Sequence, residues 1–265
     1  LLLEAAKQLL RENTKLFVCL HASNVCGTLL PAEKIGAFCK RHHLRFFLDS
    51  AQSAGVFPID MQKMNLDAVA FTGHKGLLGP QGTGGIVLRG DLARELTPLL
   101  SGGTGSMSHT EFMPEFLPDR LEAGTMNLPG LAGLHAALGF LQETGLDAIR
   151  AHELGLTKRF LNSLAPLAED GRVRLIGLPG IENRTGVVSI QTPKRELAGI
   201  AAELDERFGI STRVGLHCAP AAHKTLGTFP MGTLRFSFGF FNTEEDVDCA
   251  VSALDTLTKE ASHGF

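Results

Sequence analysis

Asp49 ends one apolar run, FFLDSAQ, with Gln52 three positions on, and Thr72, His74 and Lys75 end another, DAVAFTGHKG. A carboxylate, an amide, a hydroxyl, an imidazole and an amine therefore follow two strand-like segments about two dozen residues apart. These are the parts needed to hold pyridoxal phosphate. The lysine forms the Schiff base, the acid pairs with the pyridine nitrogen, and hydroxyl and ring donors meet the phosphate and the pyridine oxygen. Each residue also has a plainer reading. Lys75 alone is a solvated loop lysine, and Asp49 alone caps the SAQSAG segment after it. The setting favours chemistry, because Gly73 and the GLLGPQGTGG stretch let the backbone approach a bulky group closely.

The elements that must position these residues read as alternating strands and helices. Residues 15–21, 44–48, 67–71 and 84–88 are short apolar strand patterns, and Pro31 opens a helix running to about Arg41. Short apolar runs separated by helices predict an α/β fold: a mostly parallel sheet covered on both faces. Ligands of such sheets bind beyond the carboxyl ends of the strands, where Asn24, Asp49, His74 and Lys75 fall. Residues 91–126, rich in Gly, Ser, Pro and Met, read as a long loop. Its SGGTGS segment is a glycine-rich phosphate-cradle candidate without a supporting strand–loop–helix pattern. Helices are expected over 128–144 and 146–165. Beyond them come strands near 173–177, 185–190, 211–214 and 232–238, with a helix over 194–208. A closing helix over 243–260 has Thr243 as N-cap and Glu244, Glu245 and Asp246 in its first turn. The expected division is a large domain over 1–145 and a smaller α+β domain over 146–265.

Composition narrows the classes. With 44% apolar residues, 20% charged residues and a net charge of −3, the chain reads as a soluble globular protein, without the basic excess of a nucleic-acid or anionic-membrane binder. The opening LLLEAAKQLLREN carries Glu4, Lys7 and Arg11 at helical spacing and reads as an amphipathic helix, not a signal segment. Five cysteines without a CxxC pair suit a reducing cytosol, so a cytoplasmic location is expected. Cys19 and Cys39 lie on core-facing patterns, and Cys249 falls between Val247 and Val251 as a packing residue. Cys26 lies in a turn with its role open, and the histidines show no spacing that suggests a metal. Cys218 differs: it lies in RVGLHCAP, a loop bounded by Gly and Pro. It is either an inconsequential loop thiol or a nucleophile, in which case His217 or Arg213 would favour the thiolate.

The segments HASNVCGTLLP, FFLDSAQSAGVFPIDM, DAVAFTGHKGLLGPQGTGGIVL, RLEAGTMNLPG and RVGLHCAP with GTLRFSFGFFNTEEDVD resemble, in order, the class V aminotransferase family. They are most similar to its cysteine desulfurase and selenocysteine lyase branch. The resemblance implies a fold-type I pyridoxal phosphate enzyme, homodimeric, with active sites near the interface. It implies Lys75 as the Schiff-base lysine, Asp49 as the pyridine-nitrogen partner and Gln52 as donor to the pyridine oxygen. Thr72 and His74 would contact the phosphate, and Asn24 would lie near the cofactor ring. Arg235 would clamp the substrate carboxylate, a task that suits its planar fork. Cys218 would accept sulfur from L-cysteine as a persulfide, with alanine as product and a sulfur-acceptor protein as a further partner. Open alternatives are a class V aminotransferase, an epimerase or a selenocysteine lyase independent of Cys218, or an inactive dimerisation or binding module.

The chain departs from the family in one respect. Members carry an N-terminal portion before the equivalent of Leu1, with a Gly-Thr turn for the phosphate and a ring that stacks on the pyridine. Neither motif occurs here. The expectation is that these 265 residues alone bind the cofactor poorly, turn over little and leave an apolar sheet edge open.

Overall fold

The computed structural model describes residues 2–259. Two compact units divide the chain: residues 1–20 with 31–143, and residues 21–30 with 144–265.

The first unit contains α1 (Leu2–Gln8), β1 (Leu16–Leu20), α2 (Ala32–Arg41), β2 (Arg45–Asp49), β3 (Ala68–Thr72), β4 (Gly84–Leu88), α3 (Gly90–Glu95) and α4 (Leu128–Thr144). Its sheet has the order β1-β2-β3-β4, with β1, β2 and β3 parallel and β4 antiparallel to β3. α2 places Ile35, Phe38 and Cys39 inside, as its periodicity predicts, and Phe17 meets Phe38 and Phe46 edge-on at 6.4 and 5.9 Å. At the amino end of the strands, buried Asp67 accepts from the Phe46 amide at 2.8 Å and from Arg45 at 2.9 Å. Arg45 also binds Asp91 at 2.9 Å and Arg89 binds Asp91 at 2.8 Å. These guanidinium bonds hold the Asp91 carboxyl well below its usual range. The loop expected from residue 91 begins later, because 91–95 complete α3, and a 3-10 turn forms at Asp119–Leu121.

The second unit contains α5 (Leu146–Glu169), β5 (Arg174–Ile176), β6 (Val187–Gln191), α6 (Leu197–Phe208), β7 (Arg213–Gly215), α7 (Pro220–Leu226), β8 (Thr233–Ser237) and α8 (Glu244–Lys259). Its antiparallel sheet has the order β5-β6-β8-β7. Leu156, Phe160, Leu164, Ile200, Leu204, Leu254 and Leu257 pack on the inner residues Val188, Ile190, Leu234 and Phe236. α5 passes the boundary expected at 165 and carries Pro166 inside, since a proline in the last turn forfeits little of the helix. α7 lies between the strands expected near 211–214 and 232–238, where no element is expected; seven residues are too few to show a period. Thr243 caps α8 as expected, and position 260 of that helix lies outside the described residues. No helix among the described residues is long and apolar enough to cross a membrane.

Candidate active site

The expected cofactor residues Asp49, Gln52, Thr72, His74 and Lys75 all fall in the first unit. Asp49 pairs with Ala70 across the parallel β2–β3 ladder, so it stands at the same carboxyl end as Thr72. Ser50 fastens that end: its amide and hydroxyl both donate to the Ala70 carbonyl at 2.8 Å. Asp49 is exposed, and its Oδ1 accepts from the Ala51 amide at 2.9 Å, so the cap reading holds for one oxygen. Thr72 Oγ1 and His74 Nδ1 lie 2.9 Å apart. Lys75 is exposed on a loop tightened by Leu78 N to Lys75 O at 2.8 Å and Gly79 N to Gly73 O at 2.7 Å.

Glycines bring the two strand-end turns together. A Cβ at Gly55 would stand 2.0 Å from the Gly76 carbonyl oxygen, and one at Gly76 would stand 2.6 Å from that of Ala54. The turn carrying Gln52 therefore rests backbone to backbone on the loop carrying Lys75. This donor set of one carboxylate, one amine, one amide, a hydroxyl and an imidazole fits pyridoxal phosphate. The group asks for a partner to a pyridine nitrogen, an amine for an aldehyde, and donors for a ring oxygen and a phosphate.

Asn24, Cys218 and Arg235 fall in the second unit, because residues 21–30 cluster with it. Arg235 Nη1 donates to the Asn24 carbonyl at 2.8 Å, and Asn24 Nδ2 donates to the His217 carbonyl at 2.7 Å. Arg235 stands opposite both Ser189 and Arg213 in the sheet, and its Nε is buried with no hydrogen-bond partner. Burial and then the Arg213 charge disfavour its charged form, while the Cys218 charge favours it. An unused buried donor on a half-buried guanidinium suits an incoming carboxylate. Cys218 is exposed, on a turn where both it and His217 have positive φ, 58° and 48°.

Several cysteine and histidine expectations change. His217 cannot supply positive charge to Cys218. Burial, then Arg235, His223 and Arg213, push its imidazole down to about 4, so it is neutral near pH 7. Cys249 is exposed instead of packed. The inward stripe of α8 is Val247, Ala250, Ala253, Leu254 and Leu257, and position 249 turns away from it. Cys19 and Cys39 behave as inert thiols, both pushed up to about 11 by burial. Burial alone would raise Cys26, but hydrogen bonds with Ser23 and Thr28 and the charge of buried Arg184 lower it below its ordinary value. Sequence reading missed His223, Thr233 and Ser189, which lie under the Cys218 turn. The one visible signal was a second histidine five positions after Cys218.

Comparison with known proteins bears on these two sets of residues. The profile of the aminotransferase class-V family matches residues 1–249. A probable cysteine desulfurase of Aeropyrum pernix is 36% identical over 253 residues, covering 93% of this chain and 61% of that protein. The apo structure of a cysteine desulfurase from Thermococcus onnurineus NA1 superposes with TM-score 0.83 at 33% identity, over 92% of this chain and 60% of that one. The crystal structure of the Escherichia coli cysteine desulfurase CsdA, in an S-sulfonic acid form, gives TM-score 0.86 at 28% identity, over 97% and 62%. The chain spans about three fifths of the length of the curated relatives it matches.

Proposed function

The chain belongs to the class-V aminotransferase family, and on that premise we propose that it acts in pyridoxal phosphate-dependent desulfuration of L-cysteine. When bound, the cofactor withdraws electrons from an amino acid's α-carbon and weakens the bonds around it. We assign Lys75 to the cofactor aldehyde, Asp49 to the pyridine nitrogen, Gln52 to the ring oxygen, Thr72 and His74 to the phosphate, and Asn24 to the ring. The free Lys75 amine then moves the proton at the substrate α-carbon. Arg235 holds the substrate carboxylate through its fork, with Nε as the spare donor.

The observation that carries sulfur chemistry over plain amino-group transfer is Cys218, exposed on a left-handed turn within electrostatic reach of Arg235. As thiolate, its Sγ bonds the substrate sulfur while the substrate Cβ–S bond breaks. A proton replaces sulfur on Cβ, alanine leaves, and the sulfur stays on Cys218 as a persulfide. This reading includes a second copy of the chain as partner, supported by Leu99, Leu100, Phe112 and Leu128, exposed in and beside the long loop of the first unit. It also includes a sulfur-accepting protein. The free state of all five cysteines supports a cytoplasmic setting.

Borohydride reduction of the cofactor-loaded protein, followed by mass mapping, should place the pyridoxyl label on Lys75. On a separate, unreduced sample, L-cysteine should leave a persulfide on Cys218. A label on another lysine would defeat the cofactor assignment. Undiminished sulfide release by Cys218→Ala would favour a lyase that does not use this thiol.

A further inference from the structure

Between β7 and β8 the chain makes an excursion, residues 216–232, whose interior is built from imidazoles instead of aliphatic side chains. His217 is 7% exposed and His223 fully buried, with ring centroids 5.6 Å apart. The Thr233 hydroxyl donates to Ser189 Oγ at 3.2 Å, and Ser189 donates to the Val25 carbonyl. His217 Nε2, 2.9 Å from Thr233 Oγ1, is therefore the donor to it. That direction leaves His217 Nδ1 a bare acceptor, and it is buried without a partner.

His223 is held on two sides. Its Nδ1 meets Thr228 Oγ1 at 2.7 Å, and its carbonyl accepts from the Thr228 and Phe229 amides at 2.9 and 3.2 Å. The Leu216 carbonyl also faces the ring, though Nε2 has no aligned hydrogen bond. The excursion closes where Gly232 N donates to Thr228 O at 2.7 Å. Gly232, at φ 77°, lies so near Gly215 that a Cβ would stand 2.2 Å from the Gly215 oxygen. His223 is thus held between Thr228, the Leu216 carbonyl and the His217 ring, and the residue after His217 is Cys218. Two consecutive non-glycine residues in the left-handed region persist only where their surroundings over-determine them.

We infer that His223 is a positioning residue for Cys218: its buried ring braces the left-handed turn that presents the thiol to solvent within electrostatic reach of Arg235. The inference gives a role to a histidine outside the sulfur chemistry proposed above, and it rests on that reading only for the purpose the thiol serves. The charged and titratable groups around the imidazole pair are Arg235 on β8, Arg213 on β7 and Cys218 on the turn itself. Burial disfavours the charged form of both rings, and Arg235 and Arg213 are the cations among these groups.

The test compares alkylation of Cys218 by iodoacetate and by iodoacetamide, mapped by mass, in the wild-type protein, His223→Phe and His223→Asn. The anionic reagent senses Arg235 and the neutral one does not. The wild-type acetate-to-acetamide rate ratio at Cys218 should fall roughly threefold in His223→Phe, as the thiol leaves the field of Arg235. His223→Asn, whose amide replaces Nδ1 toward Thr228, should retain most of the ratio. The inference is overturned if His223→Phe keeps the ratio, or if His223→Asn loses as much of it as His223→Phe. It is also overturned if Cys26 and Cys39 open together with Cys218, which marks general loosening. Sulfide release from L-cysteine on the same preparations separates the two ideas. A wild-type protein that releases none but keeps the ratio refutes the functional reading and leaves the positioning role. Release together with a ratio unchanged in His223→Phe refutes the positioning role alone.

Discussion

The two sheets bury very different fractions of themselves. β6 is buried at four consecutive positions and packs among α5, α6 and α8. In the first unit, Leu16, Val18, Leu20 and Ile86 lie on one sheet face by register, and all four are exposed. The candidate site residues divide the same way. Asn24, His217, Thr233, Ser189 and Arg235 are tied by a continuous chain of hydrogen bonds, whereas Lys75 and His74 are exposed on a glycine-rich loop. The second unit holds its chemistry rigid by its own contacts. In the first unit the site groups bond only locally, His74 with Thr72 and Asp49 with the Ala51 amide.

The largest effect that tests this contrast is kinetic. Lys75→Ala should lower sulfide release by about 10³-fold or more, the scale of a lost general acid–base group, with no change in melting temperature. Arg235→Ala should lower both, because it also removes the donor to the Asn24 carbonyl. If Lys75→Ala destabilises the protein as much as Arg235→Ala, the contrast between presented and tied residues fails.

The sheets give a second comparison. Ile190→Ala, at a fully buried position of β6, should cost about 2–5 kcal/mol in urea unfolding. Val18→Ala, at an exposed position of β1, should stay within about 0.5 kcal/mol. Equal losses would mean that the open face of the first sheet is covered in solution.

Burial in the second unit also has a cost. Glu153, buried in α5, has its carboxyl pushed up to about 7 by desolvation. Its folded pKa exceeds the unfolded value, so the folded state binds more protons between them. Stability is therefore unaffected below about pH 4, declines as pH rises toward 7, and stays lower above it. Glu153→Gln should match the wild type at pH 4 and gain roughly 3 kcal/mol at pH 8. A gain independent of pH would point to packing instead of charge.

Much of this architecture was legible where local signals suffice. Gly84–Leu88 and Leu128–Thr144 match their expected spans, and the acid and lysine at the ends of β2 and β3 follow from apolar runs punctuated by small residues. What escaped depends on distant partners. Residues 21–30 join the second unit through bonds such as Ser189 to the Val25 carbonyl and Arg235 to that of Asn24, which no window of sequence contains. His223 reads only as one of several histidines without metal-ligand spacing. Only the fold shows it buried against His217 and Thr228. Cys249 misled because two flanking valines suggested packing, while the angular step of the helix turned it outward.

A smaller loss than that at Ile190 is expected where the sequence was most readable. Thr243 Oγ1 accepts from the Asp246 amide at 3.3 Å, and the Asp246 carboxylate accepts from the Thr243 amide at 3.0 Å, a reciprocal cap at the start of α8. Thr243→Ala should cost about 1 kcal/mol in thermal or urea unfolding, because one of the first amides of the helix loses its partner. The Thr243 amide, then Asn242, hold the Asp246 carboxyl below its ordinary value. Its contribution is therefore present above the unfolded carboxylate range and disappears as pH falls through the folded pKa. Asp246→Asn should then match the wild type at low pH and fall below it at neutral pH. Because α8 packs on the core of the second unit, the loss should appear in global unfolding of that unit. A purely local fraying at 243–246 would show that α8 is anchored by Val247, Leu254 and Leu257 alone.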